Sequence, residues 1–260
     1  MGDSPAPGFD GKKIFFVQPN SVIQKEMVAE LIRQEYEVLL ISEAAQAKRV
    51  FARYPDCIAF LNLDEGFSEP DWEAFVREVQ NDTELSRVKL GILTYNPDPS
   101  LAQKYLMDFQ LPCGYIKLTL KLEESTSIVL KVLEANEARG RRKYLRVHCR
   151  DNTKLNVKLA DEVVDGRVID LSSVGMACVL NTSRDLALHS RLESIQLQLK
   201  GTLCLVHGVV MGSRPLEDGK KAHVVLFDPK TPANQKEKIR AYLQWVLQST
   251  VAEALDPVSR

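Results

Sequence analysis

The chain has 260 residues, of which 45% are hydrophobic and 27% are charged, and its formal net charge is −1. This length suffices for two domains, and the near-zero charge argues against a protein coated with basic residues for nucleic acid. No stretch approaches the roughly eighteen apolar residues of a membrane span. Because the start lacks an apolar secretion signal and the scattered cysteines form no Cys-x-x-Cys pair, we expect a cytoplasmic protein with reduced thiols and no bound metal.

The first half of the chain predicts a doubly wound α/β domain. Short apolar runs alternate with segments in which apolar residues recur at helical spacing, and we expect Ser21 to cap the first helix. The five predicted strands are KIFFVQ, EVLLIS, CIAFLNL, KLGILTYN and CGYIKLT. Continuous apolar runs fit strands that are buried on both faces, so the pattern predicts a parallel sheet covered by helices on both sides.

After Gly140 the apolar pattern changes to a period of two residues. In SIQLQLK, for example, Ile195, Leu197 and Leu199 alternate with polar residues. Six such segments predict a small antiparallel β-barrel. The last helix, which we expect Thr231 to cap, carries an apolar stripe that would pack on the barrel. The stripe consists of Ile239, Tyr242, Leu243, Val246 and Leu247.

These patterns divide the chain into three parts. We predict an α/β domain at residues 12–137, a basic joint at residues 138–146 and a β-barrel with its terminal helix at residues 147–250. The joint contains the stretch GRRKYLRVHC. Arg142 and Arg146 lie four residues apart there, so both guanidinium groups can converge on one anion such as a phosphate. A solvated linker is the ordinary alternative for such a stretch.

A second polar motif, DLSSVGM, lies at residues 170–176. Asp170 and Ser172 are two residues apart and therefore project from the same face of an extended chain. Gly175 allows a turn or a close backbone approach. Taken alone, the motif also fits a simple turn between strands.

The two motifs together resemble the PilZ domain. That family is marked by Arg-x-x-x-Arg followed by Asp/Asn-x-Ser-x-x-Gly, and the resemblance covers residues 139–250. It implies binding of the bacterial second messenger cyclic di-GMP, with no cofactor. The ligand-binding residues that it implies are Arg141, Arg142, Arg146, Asp170, Ser172 and Gly175.

The resemblance also implies a role for each of these residues. Arg142 and Arg146 would clamp phosphate and the guanine edge, whose N7 and O6 acceptors match an arginine fork. Asp170 would accept from guanine N–H groups, Ser172 would add a hydroxyl, and Gly175 would keep the pocket floor clear. In the family, an arginine at the place of Arg141 accompanies the binding of two stacked ligand molecules.

Residues 12–137 resemble the receiver domain of bacterial response regulators. Thr94 and Lys117 lie near the ends of the fourth and fifth strands, where receivers have a hydroxyl and a lysine. The chemistry of phosphorylation is missing, however. Asn62 stands in place of the acceptor aspartate, although Asp64 is an alternative acceptor. The first strand ends in Gln18, Pro19 and Asn20, where an acidic pair would hold magnesium. We interpret this half as a degenerate receiver, retained as a docking surface.

The leading hypothesis is a non-enzymatic cyclic di-GMP receptor. Its receiver-like half would pass ligand occupancy to a protein partner through a rearrangement of the two halves. The sequence contains no activated nucleophile, no convergent carboxylate pair and no Gly-rich phosphate loop. An adaptor that binds no nucleotide stays open as the alternative, whereas the net charge and the absence of a helix-turn-helix or zinc pattern disfavour a nucleic-acid regulator.

Overall fold

Residues 11–150, 152–184 and 186–255 are described by the computed structural model of the chain. The described residues fall into two compact units. The first unit comprises the residues up to Lys143 together with those from Gln248 onward, and the second unit is Tyr144–Leu247. The first boundary falls inside the predicted basic joint, and the division into three parts stays a prediction.

The first unit contains a five-stranded parallel sheet. Its strands are β1 (Ile14–Val17), β2 (Val38–Ile41), β3 (Ile58–Asn62), β4 (Lys89–Thr94) and β5 (Tyr115–Lys117). They lie in the order β2-β1-β3-β4-β5, which is the flavodoxin-like order of doubly wound sheets. Every residue of β1 and β3 is buried, as expected for strands covered on both faces. The predicted receiver-like α/β fold is confirmed.

The helices of this unit follow the strands in alternation. A π-helical segment (Ile23–Val28) leads into α1 (Ala29–Arg33), and α4 (Pro99–Gln103) leads into a second π-helical segment (Lys104–Asp108). The other helices are α2 (Ala44–Arg53), α3 (Glu69–Asn81) and α5 (Leu122–Ala135).

The cap of the first helical segment differs from the prediction. The Asn20 side chain, and not that of Ser21, accepts from the backbone N–H groups of Val22 (3.1 Å) and Ile23 (2.9 Å). An asparagine one residue earlier therefore satisfies two of the backbone donors that a helix start leaves unpaired.

Strand β2 forms one edge of the parallel sheet, and a side-chain amide of the same unit pairs with it. Gln248 Oε1 accepts from the Leu40 backbone N–H at 2.9 Å, and Gln248 Nε2 donates to the Leu40 carbonyl oxygen at 2.7 Å. The amide thereby satisfies two backbone groups that an edge strand leaves open.

The second unit is built on a closed antiparallel barrel. Its strands are β6 (Arg146–His148), β7 (Lys154–Leu159), β8 (Glu162–Ser172), β9 (Gly175–Leu180), β10 (Arg191–Leu199), β11 (Thr202–Pro215) and β12 (Lys221–Phe227). Six of them run in the order β8-β7-β10-β11-β12-β9, and the pairing of β9 with β8 closes the ring. The short strand β6 pairs with the last three residues of β8. The predicted barrel is confirmed.

Inward-facing apolar residues of the barrel and the terminal helix α6 (Ala233–Leu255) form one core. The predicted stripe of α6 lies in it: Ile239, Tyr242, Leu243 and Val246 are buried, and Leu247 is partly buried against them. Thr231 lies two residues before α6 begins, and its hydroxyl donates to the Asp228 carbonyl oxygen at 2.6 Å, so its role as the helix cap stays a prediction. Among the described residues, no helix is both long and apolar enough to cross a membrane.

Candidate functional site

The DLSSVGM motif forms the hairpin between β8 and β9. Strand β8 ends at Ser172, and β9 begins at Gly175 after a two-residue turn. A β-bulge interrupts the pairing between Val168 and Asp170. Val168 and Leu171 both lie in the barrel core although they are three residues apart, so the bulge shifts the alternation. As a result, Asp170 and Ser172 belong to the outer face of the barrel.

Gly175 occupies a position at which a side chain would clash with the neighbouring strand. A Cβ at this position would lie 2.5 Å from the carbonyl oxygen of Val225 on β12. The Ser172 hydroxyl donates to the Gly175 carbonyl oxygen at 3.0 Å, which closes the hairpin on its outer side. The glycine thus permits the close approach of β9 and β12.

Arg146 is the first residue of β6 and lies beside this hairpin. Backbone pairing places Arg146 opposite Ser172, and His148 opposite Asp170. Arg146 Nη1 lies 3.6 Å from Asp170 Oδ1, an ion-pair distance that exceeds a normal hydrogen bond. Sequence reasoning assigned Arg146 to the joint and missed the short strand that fixes it next to the Asp-x-Ser motif.

Asp170 has an unusual environment for a carboxylate. Its side chain is 9% exposed, whereas that of Arg146 is 47% exposed. Among the described residues, no group hydrogen-bonds to the buried Asp170 Oδ1. A buried acceptor without a hydrogen bond is costly, which makes Oδ1 a suitable partner for a donor that arrives with a ligand.

The structure brings together four of the six predicted site residues, namely Arg146, Asp170, Ser172 and Gly175, which all lie in the second unit. Arg141 and Arg142 are exposed and are grouped with the first unit, which ends at Lys143. Their convergence with Arg146 on one ligand stays a prediction.

Two thiols lie near the Asp170 carboxylate. Burial, reinforced by the charge of Asp170, raises the pKa of Cys178 to about 12. Burial also raises the pKa of Cys149 to about 12, against a hydrogen bond with Tyr242 that lowers it. Both thiols are therefore protonated at neutral pH, the form that neither attacks electrophiles nor binds metals well. Within the described part of the chain, no cluster of three His, Cys, Asp or Glu residues could hold a metal ion.

The predicted receiver site lies at the carboxyl ends of β1, β3 and β4. Asn62 is fully buried, and its Nδ2 donates to the Gln18 carbonyl oxygen at 2.8 Å. Asp64 accepts from Thr94 Oγ1 (2.6 Å) and from the Tyr95 backbone N–H (2.8 Å). Neutral amides thus occupy the places where metal-dependent phosphotransfer needs carboxylates. Lys117, the other predicted residue of this site, is exposed at the end of β5.

Comparison with protein families identifies the barrel. Residues 140–245 match the PilZ domain, and this stretch holds both motifs and the whole β-barrel. Residues 140–245 therefore form a PilZ domain, as the motifs predicted. A comparison with the curated proteins gives no match.

Solved structures that are similar to parts of the chain include two PilZ proteins and one response regulator. The PilZ domain of Escherichia coli YcgR with cyclic di-GMP is 18% identical (TM-score 0.37) and covers 44% of this chain and 95% of that chain. The K. pneumonia MrkH–cyclic di-GMP complex is 16% identical (TM-score 0.38), with 44% of this chain and 56% of that chain covered. The chain therefore spans little more than half of MrkH. The Mn²⁺-bound response regulator Rcp1 is 14% identical (TM-score 0.38) and covers 47% of this chain and 92% of that chain.

Proposed function

We propose that this protein is a bacterial receptor for cyclic di-GMP and not an enzyme. The observation that carries the proposal is the placement of Arg146 on the outer face of the PilZ barrel, beside the buried Asp170 and Ser172 and close to Gly175. This arrangement combines a cation, a buried acceptor and a hydroxyl group. Such a set suits a ligand that carries both phosphate charge and flat hydrogen-bonding bases.

The arginines would bind the anionic part of the ligand. The Arg146 side chain is about half exposed, and the guanidinium group of Arg142 would join that of Arg146 from the joint. A guanidinium offers a planar fork of donors that matches two phosphate oxygens or the N7 and O6 acceptors of guanine. Arg141 would add a third guanidinium group, which in this proposal allows a second, stacked ligand molecule to bind.

The hairpin would recognise the base. Guanine carries N–H donors, and Asp170 Oδ1 is a buried acceptor to which no described group donates a hydrogen bond. The Ser172 hydroxyl donates its hydrogen bond to the Gly175 carbonyl oxygen, so the hydroxyl oxygen can accept a hydrogen bond from the ligand. Gly175 adds no side chain to this face.

Ligand binding would also act on the first unit. The joint carries three arginines and a lysine between Arg141 and Arg146, and like charges that lie close together repel one another. Two ligand phosphates would neutralise this repulsion, order the joint and change the placement of the two halves. A fluorophore pair with one dye on each half tests this relay. An unchanged distance distribution at saturating ligand would refute it.

In the proposed relay, the receiver-like unit is the docking surface for a protein partner. The relation to MrkH, which is described as a transcription regulatory factor, runs against our expectation that nucleic acid is not a partner. DNA is therefore included as a test ligand, and a gel-shift assay with and without cyclic di-GMP decides between the two kinds of partner.

Isothermal titration of the Arg146→Ala variant tests the site. Loss of charge-assisted hydrogen bonds worth about 1.5–3 kcal/mol should weaken cyclic di-GMP binding about tenfold or more. The matched control is Arg214→Ala, since Arg214 is an exposed arginine at the far end of β11. The proposal is wrong if both variants bind like the wild type. If the wild-type protein gives no binding heat, the alternative of an adaptor without nucleotide is favoured.

A further inference from the structure

The Asp-x-Ser site continues across the barrel surface onto β12. Backbone pairing places Ser172 opposite Gly175, and Gly175 opposite Leu226. In the next outward row, Asp170 pairs with Ala177, and Ala177 pairs with Val224. Since neighbouring strands lie about 4.8 Å apart, Leu226 is about 10 Å from Ser172 across the sheet.

Leu226 and Val224 point outward and are unusually open for large apolar residues. Val225, which lies between them, belongs to the barrel core, so its two neighbours face the other side. Leu226 is 45% exposed and Val224 is 38% exposed. The positions between them and the polar residues of β8 carry either no side chain (Gly175) or a single methyl group (Ala177). The result is a floor of small residues, of which Ala177 is only 4% exposed, between a polar side on β8 and an apolar side on β12.

The polar side of this floor contains the carboxylate of Asp170, one oxygen of which lacks a hydrogen-bond donor within the described part of the chain. The Asp170 residue is 7% exposed, and among the described residues its Oδ1 receives no hydrogen bond. Asp170 pairs with Ala177 on β9, in the outward row that continues to Val224, so a ligand group that reaches Oδ1 lies in this row. A flat ring held there has one edge toward Asp170 and extends toward β12.

From this geometry we infer, on the basis of the proposed function, that Leu226 and Val224 form an apolar wall for one guanine base of cyclic di-GMP. The N–H groups of the base donate to Asp170, and the aliphatic side chains of β12 cover apolar ring surface that would otherwise face water. In this arrangement the arginines bind the phosphates, and Asp170 accepts hydrogen bonds from the edge of the base. Strand β12 supplies an apolar contact that does not depend on charge.

Isothermal titration with cyclic di-GMP tests this wall in the full chain. Leu226→Ala should weaken binding about five- to eightfold, which is the change expected when ~40–50 Å² of apolar contact is lost. Leu226→Asn, which keeps the size but not the apolar character, should weaken it at least as much. Leu203→Ala is the matched control, because Leu203 is an exposed leucine (58%) of β11 that pairs with Gln198 on β10.

The salt dependence of the affinity distinguishes the contribution of the apolar wall from that of the arginines. The loss in Leu226→Ala should stay constant between low and high salt, whereas the loss in Arg146→Ala should shrink as salt screens the charge. The wall is refuted if both Leu226 variants bind within about twofold of Leu203→Ala while Arg146→Ala still loses affinity. If cyclic di-GMP binds to none of the proteins, the wild type included, the proposed function fails and the wall fails with it.

Discussion

At the scale of single residues, the first unit differs from a phosphorylatable domain in the groups at the end of β3. Asn62 is fully buried, and an amide cannot form an acyl phosphate. Asp64, the alternative acceptor, already accepts hydrogen bonds from Thr94 and from the Tyr95 backbone. A Cβ on Gly66 would lie 2.3 Å from Gln18 Oε1, so the Gln18 side chain packs against the loop that follows β3. These groups are uncharged apart from Asp64, and magnesium prefers several anionic oxygens.

Incubation with acetyl phosphate and magnesium should therefore leave the protein unmodified. The physical reason is that, among the described residues at this edge of the sheet, the amide of Asn62 replaces a carboxylate and Asp64 already accepts two hydrogen bonds. Intact mass spectrometry is the measurement, and Asp64→Asn is the control. A phosphate adduct that appears on the wild-type protein and disappears in Asp64→Asn would show that the unit is an active receiver.

At the scale of secondary-structure elements, the hairpin of β8 and β9 determines where the site residues point. The bulge near Ile169 turns Asp170 to the outer face, and the contact of Gly175 with Val225 sets how closely β9 approaches β12. Gly175 therefore has a structural task in addition to its predicted place in the ligand site.

Gly175→Ala should destabilise the barrel by about 1–3 kcal/mol, the usual range for an extra carbon forced into a packed site. Urea unfolding of the full chain measures this effect. Gly212→Ala on β11 is the matched control, because a Cβ there would meet no atom within 4 Å. Equal free energies of unfolding for the two variants would show that the approach of β9 and β12 tolerates a side chain.

Much of the architecture could be predicted from local patterns. Continuous apolar runs gave the parallel strands, and strict alternation, as at Ile195, Leu197 and Leu199, gave the barrel strands. The short strand β6 could not be predicted, because three residues carry too little periodicity. The bulge before Asp170 breaks the alternation that sequence reasoning relies on. The pairing of β9 with β12 joins segments that are distant in the chain, and it follows from closure of the barrel.

The same limits apply to the candidate site. Arg146, Asp170, Ser172 and Gly175 could be named from motif spacing, and the structure places them together. The apolar neighbour Leu226 could not be named, because nothing in its local sequence connects it with Gly175. The helix cap was assigned to Ser21 instead of Asn20, since both residues have capping side chains and only the backbone geometry separates them.

At the scale of the whole molecule, a nearly neutral protein concentrates cationic residues in one short segment. The formal net charge is −1, yet residues 139–146 include four arginines and one lysine. Such a local cluster attracts any dianionic cyclic dinucleotide, so charge alone cannot select the base. In the proposed receptor, Asp170 and the outer face of the barrel would select the base through its shape and its hydrogen-bond donors.

Isothermal titration of the full chain with cyclic di-GMP, and with cyclic di-AMP as the control of equal charge, tests the receptor directly. We predict micromolar or tighter binding of cyclic di-GMP, which corresponds to about 8 kcal/mol or more. Cyclic di-AMP should bind at least about tenfold more weakly, since adenine offers Asp170 no ring N–H and leaves the buried acceptor unpaired. Equal affinity for the two dinucleotides, or no binding of cyclic di-GMP, would contradict the proposed receptor site.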